Sequence, residues 1–116
     1  ERGAFVNLHT DGDVNPFLPE FLEIGIDALN PLEVKAGMDP VALKREHGDR
    51  LVLQGGINAL LFNDYDALEA EIRRVVPILK ENGGYIFSSD HSVPSSISFE
   101  DFGNAIALAK ELGAYG

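Results

Sequence analysis

Residues 51–91 read LVLQGGINALLFNDYDALEAEIRRVVPILKENGGYIFSSDH, and this stretch decides the fold. Leu51-Val52-Leu53 is apolar at every position, as a strand buried on both faces must be. Gln54-Gly55-Gly56-Ile57-Asn58 follows as a polar, glycine-containing turn. A helix is then predicted over Tyr65–Glu81, because Leu68, Ile72, Val75, Val76 and Leu79 recur with helical spacing. Pro77 lies inside that helix and frees the Arg73 carbonyl, which predicts a kink or local opening. Asn82-Gly83 ends it, and Gly84–Ser88, apolar over Tyr85–Phe87, forms the next strand. The whole is one β-α-β unit, whose strands run parallel.

Working outward, the same phrase occurs on both sides. Ala4–Leu8 and Ile26–Leu29 are short apolar runs. Asn15-Pro16 reads as an N-cap with proline at the first helical position, and Phe17, Leu18, Phe21 and Leu22 form a stripe that Gly25 closes. Asp39-Pro40 opens a helix over Val41–His47 that stops at Gly48, where His47 complements the helix dipole. Ser98 and Asp101 make a capping box for a last helix with Phe102, Ile106 and Ala109 on its buried face. The prediction is an α/β fold of four βα units with parallel strands over residues 1–116, a single domain. Polar clusters follow all four strands, which favours half of an eight-stranded (β/α) barrel over an open doubly wound sheet.

Composition narrows the function. Nineteen acidic residues against nine basic ones give a net charge of −10, which argues against nucleic acid or an anionic membrane as partner. Cysteine is absent, so disulfides are too. No apolar run approaches the roughly 18 residues of a membrane span, and no signal peptide pattern is visible. A cytoplasmic protein is expected. The start at Glu1, without methionine, reads as a fragment or a trimmed form. A half-barrel leaves its first and last strands with unpaired edges, so a homodimer covering them is expected.

Chemistry in parallel-strand enzymes sits past the carboxyl ends of the strands. Here those positions hold His9, Asp11, Asp13, Asn30, Glu33, Gln54, Asn58, Asp90 and His91. His9 and Asp11, two apart, can point to one side. With His91 and Glu33 they form a candidate metal set for zinc or iron. The alternative is a hydrogen-bonded brace, with Asp11 or Asp13 capping backbone amides. His91, Asp90 and Asp13 are the acid–base candidates. Asp90 can orient His91 or raise its pKa, although adjacent side chains on a strand point apart. The alternative has Asp90 accepting backbone bonds in a turn. Gly55-Gly56 could admit a phosphate or a flat cofactor, or answer a steric need at a strand end. Arg45, Arg50, Arg73 and Arg74 fall on helices or at strand beginnings, the wrong end for catalysis.

In order, HTDGDV, IDALNPLE, MDPVALKREHGDRLVLQGGI, GGYIFSSDHSVPSSISFED and AKELGAYG resemble the carboxyl-terminal half of the uroporphyrinogen decarboxylase superfamily. The resemblance implies the last four units of a (β/α)8 barrel. It also implies one of two chemistries: cofactor-free decarboxylation of porphyrinogen acetate groups in haem biosynthesis, or methyl transfer with a corrinoid carried on a partner protein, where zinc activates a thiol. The methyltransferases resemble this chain around a His-x-Cys pair and a later Cys. His9 matches the histidine, Asp11 replaces the first cysteine, His91 falls near the last, and Glu33 matches an acidic ligand. In the decarboxylases a histidine of the last-strand loop handles substrate, and His91 matches it. Uroporphyrinogen carries eight carboxylates and would need arginines at the mouth, where this sequence has acids. That favours metal-assisted methyl transfer on a smaller substrate. A third reading is a catalytically inactive association module.

Overall fold

The computed structural model describes residues 2–116. Four strands form one sheet in the order β1-β2-β3-β4, with every neighbouring pair parallel. They are β1 (Asn7–His9), β2 (Ala28–Asn30), β3 (Val52–Ile57) and β4 (Tyr85–Ser89). Each is followed by a helix: α1 (Leu18–Ile24), α2 (Pro40–His47), α3 (Tyr65–Leu79) and α4 (Phe99–Gly113). This sequential parallel order is that of a partial (β/α) barrel. β1 and β4 each have one unpaired edge.

The strand boundaries shift from the predicted ones for identifiable reasons. β2 starts at Ala28 because Ile26 belongs to the end of α1. Gly25 adopts φ 85°, its N–H bonds the Leu22 carbonyl, and the Ile26 N–H bonds that of Phe21. β1 starts at Asn7 because the backbone before it is tied to Asp27: the Val6 N–H donates to Asp27 Oδ2 at 2.7 Å and its carbonyl accepts the Asp27 and Ala28 amides. β3 runs on through the glycine pair, and Gly55 and Gly56 stay in register with Phe87 and Ser88. Asn15 does not cap α1. It begins a 3-10 turn over Asn15–Phe17 and turns its side chain to Asp13.

The other caps fall where predicted. Asp39 accepts the Val41 and Ala42 amides, and Ser98 accepts that of Asp101. Leu68, Ile72, Val75, Val76 and Leu79 are all buried and pack on Ala105, Leu108 and Ala109 of α4. A second core cluster joins Leu18, Leu29, Leu32, Leu43 and Leu53. Phe102 and Ile106 are half-buried, the deepest stripe of α4 being Ala105, Leu108 and Ala109. The other face of the sheet carries Asn7, His9, Asn30, Gln54 and Ile86, none of them buried. An apolar face under helices and an open, largely polar face are what half of a barrel presents.

Gly55 and Gly56 answer a steric need. Gly55 has φ 108°, and a Cβ there would lie 2.0 Å from the Pro31 carbonyl oxygen. Gly56 has φ 78°, and its Cβ would lie 2.9 Å from Pro40 Cβ. Pro31 and Pro40 thus fill the space that the glycines open, and the Gly56 N–H bonds the Pro31 carbonyl at 2.9 Å. The Gly55 carbonyl accepts the Tyr85 hydroxyl at 2.9 Å, and burial pushes that phenol well above its usual pKa, so it remains a donor. The glycines are therefore accounted for by close packing against Pro31 and Pro40.

Gly55→Ala should lower stability by about 3 kcal/mol or more, through the clash and the left-handed φ. Gly103→Ala, on open α4 surface with no neighbour within 4 Å, should raise it by up to about 1 kcal/mol. Urea unfolding of both variants checks this contrast.

Candidate functional site

His9 and Asn30 end β1 and β2, Gln54, Gly55 and Gly56 lie within β3, and Asp11, Asp13, Glu33, Asn58, Asp90 and His91 lie on the loops beyond the carboxyl ends of the strands. Three converge. Ligand atoms of Asp11, Glu33 and His91 all lie within 4.8 Å of one another. Asp11 comes from the loop after β1, Glu33 from the loop after β2 and His91 from the loop after β4. The Glu33 carboxylate is central: Oε2 accepts the Gly12 N–H at 2.5 Å, while Oε1 stands 3.7 Å from His91 Nε2. Leu32, immediately before it, is buried with φ 60°, so the chain turns sharply into the mouth there.

Asp90 lies beneath this group, with only 1% of its side chain exposed. Its Oδ1 accepts the Ala59 N–H at 2.9 Å and its Oδ2 the Val34 N–H at 3.0 Å. The expectation that Asp90 and His91 point apart is corrected. β4 ends at Ser89, so both residues lie in the bend beyond it, and His91 Nδ1 stands 3.4 Å from Asp90 Oδ1.

His9 is outside the three-residue group, although its Nε2 lies 3.9 Å from Asp11 Oδ1. It ends a row of hydrogen bonds across the open face of the sheet. Asn7 Nδ2 donates to Gln54 Oε1 at 3.1 Å, and Asn30 Nδ2 donates to Asn7 Oδ1 at 2.8 Å. Asn30 Oδ1 is then the acceptor for His9 Nδ1 at 2.5 Å. Neutral His9 therefore carries its proton on Nδ1 and presents the Nε2 lone pair toward Asp11. Sequence reasoning missed this row. Its signal is a polar residue at alternate positions of otherwise apolar strands.

Asp13 stands apart. Its Oδ1 accepts both the backbone and side-chain N–H groups of Asn15, the bracing role weighed for it. Asn58 similarly accepts the Leu60 amide.

Two cavities open around the group. One, of about 330 Å³, is lined by His9, Asp11, Asn30, Ser88, Asp90 and His91, among others. The other, of about 210 Å³, is lined by Glu33, Lys35, Asn58, Leu60, Asp90 and His91 with Ala59. Among the described residues Lys35 is the one lysine or arginine lining either, and the sequence reading did not single it out. A third cavity, of about 520 Å³, opens between α2 and α3 around Lys44, Arg45 and Glu81, away from the strand mouths. Lys44 there is tied to the Gly83 carbonyl. Arg73 and Arg74 pair with Glu69 and Glu71 on α3, and Arg50 donates to the Leu22 carbonyl, so none serves the mouth.

One imidazole nitrogen and two carboxylates make a donor set suited to a divalent cation with open positions. The 3.7 Å between Glu33 Oε1 and His91 Nε2 is close to the ~3.4 Å edge of a tetrahedron with ~2.1 Å bonds. The set has no sulfur, since the chain lacks cysteine. It fits zinc as a hard, Lewis-acidic centre better than as a thiolate site.

Compared with protein-family models, residues 1–112 match the family described as Uroporphyrinogen decarboxylase (URO-D). No curated protein and no solved structure gives a significant match.

Glu33→Ala should free the Gly12 loop, because it removes the oxygen that accepts the Gly12 N–H. The Gly12 amide is then expected to exchange with solvent about tenfold faster or more, while the amides of α3 keep their protection. Hydrogen exchange resolved by NMR measures both.

Proposed function

The chain belongs to the uroporphyrinogen decarboxylase family, and from that premise we propose that its strand-mouth site binds a divalent metal ion, zinc first, and assists a methyl transfer of the corrinoid methyltransferase type. The observation that carries this reading is the convergence of Asp11, Glu33 and His91 from three separate loops. Bound there, the ion supplies Lewis-acid activation of a substrate heteroatom. The protein's part is to hold two carboxylates and an imidazole at one point. His9, its Nε2 lone pair turned toward Asp11, stands ready as a further donor.

The charge of the mouth supports a small substrate that is not a polyanion. Asp11, Glu33 and Asp90 line the cavities against a single Lys35, and no arginine does. A ring of eight carboxylates would meet repulsion from these residues. The replacement of sulfur by oxygen ligands argues for an acceptor other than a thiol. A corrinoid would arrive on a partner protein. The free edges of β1 and β4 suit a second copy, which would set β4 of each protomer beside β1 of the other in a cytoplasmic homodimer. The decarboxylase reading keeps one specific support, the position of His91 in the last-strand loop. It calls for no cofactor, and it predicts that a porphyrin binds and shifts in absorbance. An inactive association module would bind neither metal nor porphyrin.

Zinc at 100 times its Kd should add about 2.7 kcal/mol of stability, read as a rise in Tm. His91→Ala, Glu33→Ala and Asp11→Ala should each remove that rise, and His9→Ala should reduce it. No rise with zinc, cobalt or iron would end the metal reading. Sedimentation is expected to show a dimer; a stable monomer at micromolar concentration would end the pairing of edges.

A further inference from the structure

We propose that Asp90 is the positioning residue of this site: its buried carboxylate sets the orientation and tautomer of His91 and fixes the loop that carries Glu33. Its consequence for metal affinity rests on the metal reading above; its consequence for His91 does not.

A carboxylate this deeply buried persists only where donors satisfy it. Asp90 obtains them from two loops at once. The Val34 N–H on Oδ2 belongs to the residue after Glu33, so this bond holds the peptide from which the Glu33 side chain departs. The Ala59 N–H on Oδ1 holds the loop after β3. Its own N–H bonds the Ile57 carbonyl at 2.8 Å, which anchors Asp90 to the end of β3. That leaves Oδ1 facing His91 Nδ1 at 3.4 Å. A carboxylate oxygen accepts and cannot donate. Nε2 also faces a carboxylate oxygen, Glu33 Oε1, but at 3.7 Å, beyond hydrogen-bond reach, so the closer Asp90 contact places the proton of neutral His91 on Nδ1 and leaves Nε2 for the metal position. The arrangement is that of a carboxylate behind a ligating imidazole, fixing which nitrogen binds.

Asp90 lines the cavities but is not one of the three converging ligands. Its action passes through His91 and the Val34 peptide. Asparagine at this position keeps the shape but turns an NH2 group toward one of the two backbone donors, so it cannot accept from both.

The test uses the full chain and two readouts. The first is the 15N spectrum of the His91 imidazole at a pH above the ordinary imidazole range, the signal being assigned by its loss in His91→Gln. The wild type is expected to show the Nδ1–H tautomer, and Asp90→Asn a shift toward Nε2–H. The second is zinc affinity by calorimetry, expected to fall 10- to 100-fold in Asp90→Asn. A wild-type Nε2–H tautomer overturns the proposal without recourse to any variant, and therefore decides the matter even if Asp90→Asn does not fold. A tautomer unchanged in Asp90→Asn, or a zinc affinity within twofold of wild type, also overturns it. If the wild type binds no zinc while the tautomer shifts as expected, the metal reading fails and the positioning role stands.

Discussion

A buried carboxylate that accepts backbone N–H groups from two different loops is the constraint on which the strand-mouth site depends. Asp90 follows β4, yet its two acceptor oxygens are taken by Val34 and Ala59, from the segments after β2 and β3. Each bond to an ionised acceptor is stronger than a neutral one, and burial strengthens it further. Glu33 extends the tie to the segment after β1 through Gly12. Two acids thus join all four loops. The side chains that they bring together come from sequence positions as far apart as Asp11 and His91. Loops are ordinarily the most mobile part of such a fold; here their own acidic residues fasten them to one another.

Beneath this ring, the sheet makes its own demand. Gly55 and Gly56 let β3 pass against Pro31 and Pro40 at distances that no side chain would permit. The Pro31 backbone leads directly to Leu32 and Glu33, so close packing below the mouth sets the height of the acidic ligand above it. The glycine pair contributes to the site through sterics.

Much of this was legible in the sequence, and most parts that were not share a cause. The core stripe Leu68, Ile72, Val75, Val76 and Leu79 could be read because helical periodicity is a local property. The caps Asp39 and Ser98 are local too. The grouping of Asp11, Glu33 and His91 followed from parallel strands, since these place every loop of one kind at one rim. What stayed hidden was which donors each acid meets. Asp13 and Asp90 look alike in sequence, but one braces Asn15 in an exposed turn and the other spans two distant loops. The difference depends on tertiary approach, which spacing does not encode. Asn15 failed as a cap for a different, local reason: Asp13, two residues before it, captured its side chain. The row from His9 to Gln54 needs the register of three strands, and the strand ends moved by two or three residues once Asp27 and the Gly25 turn claimed the backbone.

That row also has a direction. Asn7 and Asn30 each offer an oxygen to one neighbour and a nitrogen to the next, and Gln54 closes the row with its oxygen, so the polarity runs in one sense from Gln54 to the imidazole. Reversing Asn7 or Asn30 sets like against like on both sides of it. Loss of the Gln54 oxygen therefore releases Asn7, and through Asn30 it reaches His9, two strands away and without contact.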